Sequence, residues 1–233
     1  MNEIPSARVR SSIFFCITLF VALTSIYRAQ AGPILVFDNG GPSYSDAFVS
    51  DLAGGFQYGD DFTLNSGISL GQIDWAGAYK LDSQLYQGDD AFSIRIFSLS
   101  GSNPASIPLI QLNVGAVQRT LLTADSLPPF STLVYNYQAT FSPVLLPAGN
   151  YMLSIVNNTA GQPAGPWMWA WSGGGGPVWL RTADGASWNG PYSNDMSFQL
   201  YSVPEPGIAQ LTLLALLFIP IINRQTRSRS FQK

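Results

Sequence analysis

Histidine is absent from this 233-residue chain, and its one cysteine, Cys16, lies in an apolar stretch near the N-terminus. Without imidazole there is no Ser-His-Asp triad, no histidine zinc ligand and no ordinary proton shuttle near neutral pH. Cys16 falls where a secretory signal would be removed, and Phe15 before it is too large for a lipoprotein processing site. A chain cut there keeps no disulfide, no thiol nucleophile and no thiolate metal site. Lysine is nearly as scarce: Lys80 and Lys233 are the two in the chain, and no S-x-x-K pairing accompanies Lys80. Charged residues make up 11% of the chain, against about 25% in ordinary soluble domains. Ser, Thr, Asn, Gln and Gly carry the polarity instead.

The charges that remain are unevenly placed. Between Gly32 and Val203 there are twelve aspartates against Lys80, Arg95, Arg119 and Arg181, a formal charge of 4 − 12 = −8. An acidic surface repels phosphate backbones, so nucleic acid is not an expected partner. The other basic residues sit towards the two ends. Arg8 and Arg10 precede an apolar run from Ile13 to Leu23, and Ala29-Gln30-Ala31 supplies an A-x-A cut before Gly32. That pattern predicts a signal peptide over residues 1–31, too short for a stable membrane anchor.

The opposite end reads Val203-Pro204-Glu205-Pro206-Gly207, then an apolar run from Ile208 to Ile222, then Arg224, Arg227 and Arg229. Two prolines around one glutamate force an extended segment. The apolar run predicts a single hydrophobic helix, and the arginines hold its far end in the cytoplasm by the positive-inside rule. This order resembles the PEP-CTERM sorting signal of Gram-negative bacteria that make exopolysaccharide, here over residues 203–229. The resemblance implies recognition of Pro204-Glu205-Pro206 by an exosortase, a membrane-embedded cysteine transpeptidase-like enzyme, after a transient stay in the inner membrane.

Residues 32–202 form the expected ectodomain, large enough for one core. Phe92, Ile94 and Ile96 alternate with polar residues, as do Leu133, Tyr135, Tyr137, Ala139 and Phe141; Tyr151, Leu153, Ile155 and Met196, Phe198, Leu200 follow suit. Period two marks strands with one buried face. Breakers such as Asn39-Gly40-Gly41-Pro42, Gly101-Ser102-Asn103-Pro104 and Gly173 to Gly176 separate them. The expectation is an all-β, antiparallel β-sandwich of jelly-roll type. Phrases such as Ile73-Asp74-Trp75-Ala76-Gly77-Ala78-Tyr79 and Leu146-Pro147-Ala148-Gly149-Asn150-Tyr151 also resemble the sandwich cargo domains that precede such tails, which implies secretion but no defined activity.

Two sets of residues are candidate sites. Asp60-Asp61 and Asp89-Asp90 are adjacent pairs whose members point to opposite faces of a strand, so neither is a ready acid–base couple. Their first reading is turn and strand-entry chemistry, and their second is a structural calcium site built from hard oxygen ligands. Trp167, Trp169 and Trp171 lie at period two on one face. Their apolar bulk suits a core, and an exposed row would stack on sugar rings. Three functions stand open: a non-enzymatic surface or matrix protein of the exopolysaccharide, a carbohydrate-binding module using that aromatic face, and an aspartate-dependent polysaccharide-active enzyme.

Overall fold

A computed structural model describes residues 32–80, 90–127, 132–160 and 165–204. Among them there is no helix. The strands in chain order are β1 (Ile34–Asp38), β2 (Ala47–Val49), β3 (Gln57–Leu64), β4 (Ile68–Tyr79), β5 (Phe92–Ser100), β6 (Asn103–Pro104) and β7 (Ile110–Gly115). They continue with β8 (Gln118–Leu127), β9 (Thr132–Leu146), β10 (Gly149–Val156), β11 (Trp167–Ala170), β12 (Pro177–Arg181), β13 (Asn189–Ser193) and β14 (Phe198–Ser202). Pro33–Glu205 is one compact unit that contains both sheets and the whole core, so it holds everything needed to fold by itself.

Two antiparallel sheets of seven strands build the sandwich. In the first, β4 is the spine. Along one edge it pairs with β9 from Ile68 to Ala78; along the other it takes β14 at Leu70–Trp75 and then β11 at Gly77–Tyr79. β1 flanks β14, β2 flanks β11, and β8 flanks β9. The second sheet runs β13-β12-β3-β10-β5, with β7 and β6 sharing the outer edge of β5. Gly77 sits where β4 and β11 meet, because a Cβ there would strike the Trp167 ring and the Met168 carbonyl.

The period-two pattern sets which side chains meet between the sheets. Phe62 and Leu64 from β3, Phe92, Ile94 and Ile96 from β5, and Tyr151, Leu153 and Ile155 from β10 are buried against the first sheet. That sheet contributes Ile73 and Trp75 from β4, Tyr135, Tyr137 and Ala139 from β9, and Phe198 and Leu200 from β14. The expected sandwich is therefore present with the expected inward residues. Several strands, β4, β9, β10 and β11 among them, bury residues on both faces. Val134, on the opposite face of β9 from Tyr135, is also buried, in a small cluster with Ala47, Ala76, Ala78, Met168 and Ala170.

A second layer covers part of the outer face of the second sheet. Phe97, Met152 and Trp179 form a separate apolar cluster, and the Trp188 ring lies edge-on to Phe97 at 5.3 Å. The segment between β12 and β13 therefore packs back over its own sheet.

Among the described residues no helix is long and apolar enough to cross a membrane. The proposed signal peptide and the run Ile208–Ile222 lie outside those residues.

The packing makes a direct prediction. Phe92→Ala should cost about 3–5 kcal/mol of unfolding free energy, the range for a large aromatic removed from a filled core. Urea denaturation of the Pro33–Glu205 unit measures it, and a loss under about 1 kcal/mol would contradict this core.

Candidate functional site

Two of the three tryptophans of the row are spent on the core. β11 is held between β4 and β2, and its inward face carries Trp167 and Trp169, each 0% exposed. Trp167 meets Phe92 edge-on at 5.0 Å and Tyr137 at 6.0 Å. Trp169 packs on Phe198, and its indole N–H donates to the Ser197 carbonyl at 3.0 Å. Trp171 lies past the strand end, half-buried, with its indole N–H on the Gly174 carbonyl at 3.2 Å. A solvent-facing platform made of all three rings is thus corrected: burial of such large apolar area outweighs exposure on the strand that faces the opposite sheet.

The aspartate pairs are also placed apart from any shared ion. Asp60 points inward and is fully buried; its Oδ2 accepts the Asn39 amide at 2.7 Å and the Met196 backbone N–H at 2.5 Å. It thereby ties β3 of one sheet to the chain ends of β1 and β14 in the other. Asp61 turns outward, half-buried. Asp90 lies elsewhere, receiving the Tyr79 hydroxyl and the Asn157 amide on Oδ1, with Arg119 3.8 Å from Oδ2. Asp89 is outside the described residues. Among the described residues no three acidic, histidine or cysteine side chains gather as a metal cage. Asp60, Asp61 and Asp90 therefore do not converge on one point, and donors from the protein already engage the carboxylates of Asp60 and Asp90.

Burial is the main cause of the upward pKa shifts of Asp60, Asp61, Asp74 and Asp90. For Asp60 and Asp61 the nearby Asp195 adds to it, while the backbone N–H bonds work the other way.

Three features were not singled out from the sequence. Arg95 and Arg181, both nearly inaccessible, converge on Asp184 at 2.6 Å and 3.1 Å, and both donate to the Gln57 side-chain oxygen. Partial burial pushes the Asp184 carboxyl up, but the Gln57 hydrogen bond and the two guanidiniums outweigh it and hold it low. Arg181 also lies 4.5 Å over the Trp188 ring, so half of the ectodomain's four cations are consumed in fastening one surface segment. Asp51 is the second feature. Fully buried, it accepts N–H bonds from Ala53, Gly54, Thr159 and Trp167 and so joins a turn to the start of β11.

The third is a junction of three loops, residues 39–46, 171–176 and 192–195. Ser43 N–H donates to the Trp171 carbonyl at 2.8 Å, and Trp171 N–H to the Asp46 carbonyl at 3.1 Å. Asn194 N–H donates to the Gly176 carbonyl at 2.9 Å, and Ser172 N–H to that of Asp195 at 2.8 Å. The Asp195 carboxylate lies against Gly174 and Gly176, where a Cβ at either position would collide with its oxygens. Only glycine permits that approach. Tyr44 and Tyr192 stand exposed at 40% and 47% on this junction.

No protein-family model matches the chain. No curated protein matches it either. Among solved structures it is similar to the cysteine protease and lectin-like domains of Cwp84, a surface layer associated protein of Clostridium difficile. The two are 9% identical with a TM-score of 0.40, over 64% of this chain and 32% of that one. At that distance nothing of the other protein's role transfers to this chain.

The buried carboxyls predict the pH response of stability. A raised carboxyl holds its proton more tightly folded than unfolded, so stability present below the ordinary value of 3.8 is lost as pH rises through the raised one. Asp184 works in the opposite sense, and only as pH falls below that ordinary value. The melting temperature of Pro33–Glu205 should therefore fall as pH rises from about 4 toward neutrality, and Asp60→Asn should flatten the slope. A melting temperature that climbs over that interval in the parent would contradict the assignment.

Proposed function

We propose that this chain is an exported, non-enzymatic protein whose sandwich is delivered to the cell surface or the exopolysaccharide matrix through a PEP-CTERM tail. The observation that carries the reading is the order Val203-Pro204-Glu205-Pro206-Gly207, apolar run, Arg224, Arg227 and Arg229, set directly behind the last strand. Its arrangement on the fold supports the same reading. Val203 N–H is still bonded to the Ser69 carbonyl at 2.8 Å, so the sandwich grips the first residue of the motif. The last strand ends at Ser202, and Pro204 and Pro206 have no N–H with which to continue one.

The physics suits a transient anchor. Gly207 to Ile222 as a helix would span about 24 Å, less than the roughly 30 Å hydrocarbon core. Gln210 and Pro220 weaken it further. Such a span halts export while the arginines stay inside, leaving Glu205 at the outer membrane–water boundary for an exosortase. The N-terminal Arg8, Arg10, apolar run and Ala29-Gln30-Ala31 supply the export signal. The sandwich, read as jelly-roll in type, is the cargo. Non-enzymatic character is favoured by the lack of histidine and by carboxylates already engaged with donors at Asp51, Asp60 and Asp90.

Expressed in an exosortase-bearing host, the protein should reach the surface or medium without its C-terminal tail. Glu205→Ala should leave the uncut form in the inner membrane. Mass spectrometry of the surface protein decides the matter: peptides ending in Phe231-Gln232-Lys233 on the mature protein would sink the sorting reading.

A further inference from the structure

The surface left for recognition, once Trp167 and Trp169 are assigned to the core, is the loop junction. Tyr44 and Ser45 form an excursion between two hydrogen bonds to the same residue, Trp171. Tyr44 is the one non-glycine residue with a positive φ, 58°, among the described residues. A bulky residue held in the left-handed region is costly and is kept where its side chain must point one way. The Ser43 and Ser45 hydroxyls, 2.8 Å apart, brace the excursion from both sides. Trp171 follows, its ring fixed by the indole bond to Gly174. Across the glycine loop stands Tyr192, on the wholly exposed edge strand β13, with Ser193 Oγ bonded to the Gly175 carbonyl at 3.1 Å.

Three aromatic residues, two of them exposed, thus stand on the loops joined to a glycine run with no side chains of its own. Between them the Asp195 carboxylate lies on the glycines. Every charged residue in the three loops, Asp46 and Asp195, is a carboxylate, and the neighbouring Asp38 and Asp61 are carboxylates too. Carboxylates accept hydrogen bonds from hydroxyls and repel other acids. Ring faces pack on the apolar faces of sugars. A bare glycine loop lets a broad ligand approach the backbone.

We propose that this junction binds a neutral polysaccharide, with Tyr44, Trp171 and Tyr192 stacking on sugar rings and Asp195 accepting their hydroxyls. A uronic-acid polymer is disfavoured by the four carboxylates. None of its residues belongs to the sorting tail, and the proposal rests on the extracellular reading only for where the glycan is met. Its test does not involve processing, so either idea can fail without the other.

Affinity electrophoresis of the Pro33–Glu205 unit in gels containing dextran, galactomannan, xyloglucan or mixed-linkage β-glucan, with alginate and polygalacturonate as acidic counterparts, tests it. Retardation by at least one neutral polymer and by neither acidic one is expected. Tyr192→Ala and Tyr44→Ala should each weaken retardation about tenfold with the melting temperature unchanged. Asp195→Asn, which keeps the shape, should weaken it as well. Mobility unchanged by all four neutral polymers, retardation by alginate or polygalacturonate alone, or binding that survives both tyrosine changes would each overturn the proposal.

Discussion

Phe92 is the centre on which the two sheets close. Its ring lies 5.2 Å from Trp75, 5.1 Å from Tyr137 and 5.0 Å from Trp167, each in an edge-to-face arrangement, while Trp75 and Tyr137 stack at 5.7 Å. One strand of the second sheet thereby engages β4, β9 and β11 of the first. Edge-to-face pairs add to the area each ring buries, and so many large rings in one place leave little freedom in how the sheets stack. The consequence reaches function. Trp167 and Trp169, which could have served a ligand, are committed to holding the sandwich together, which leaves the proposed recognition to the loops.

Scarcity of charge is the second organising fact. The ectodomain has four cations for twelve aspartates, so most carboxylates cannot find a salt bridge. The fold answers in two ways. Asp51, Asp60 and Asp90 are buried and met by N–H or hydroxyl donors, and two of the cations share the single Asp184. Among the described residues Asp38 is exposed and Asp46, Asp61, Asp74 and Asp195 are half-buried, where acids favour solubility and set the sign of any partner. Burial accordingly shifts Asp60, Asp61, Asp74 and Asp90 upward, while its hydrogen bonds and two guanidiniums shift Asp184 down.

The strands were legible in the sequence because a half-buried strand writes its burial every second residue. Phe92-Ile94-Ile96 and Tyr151-Leu153-Ile155 face inward as the alternation implied. The same rule could not say whether Trp167 and Trp169 face the core or water, because period two reports one face without naming which. Nor could local pattern find the partners of Asp60, which come from Asn39 and Met196, 21 and 136 positions away. Asp184 became meaningful only once Gln57, Arg95 and Arg181 stood side by side across three strands and a neighbouring loop. The Gly173 to Gly176 run was readable as a flexible turn, but its fit to the Asp195 carboxylate appears only in space. The tail is the reverse case. Its meaning is carried by order along the chain, and the fold adds only that Val203 is still held by the sheet.

Indole N–H resonances, resolved by two-dimensional NMR and followed by hydrogen exchange, test the division between an aromatic core and a recognising rim most directly. The indole protons of Trp75, Trp167 and Trp169 should exchange slowly and keep their positions when a retarding neutral polysaccharide is added, while that of Trp171 shifts. Rapid exchange at Trp167 and Trp169, or a glycan-induced shift at Trp169 with Trp171 unmoved, would contradict the account and return the tryptophan row to solvent.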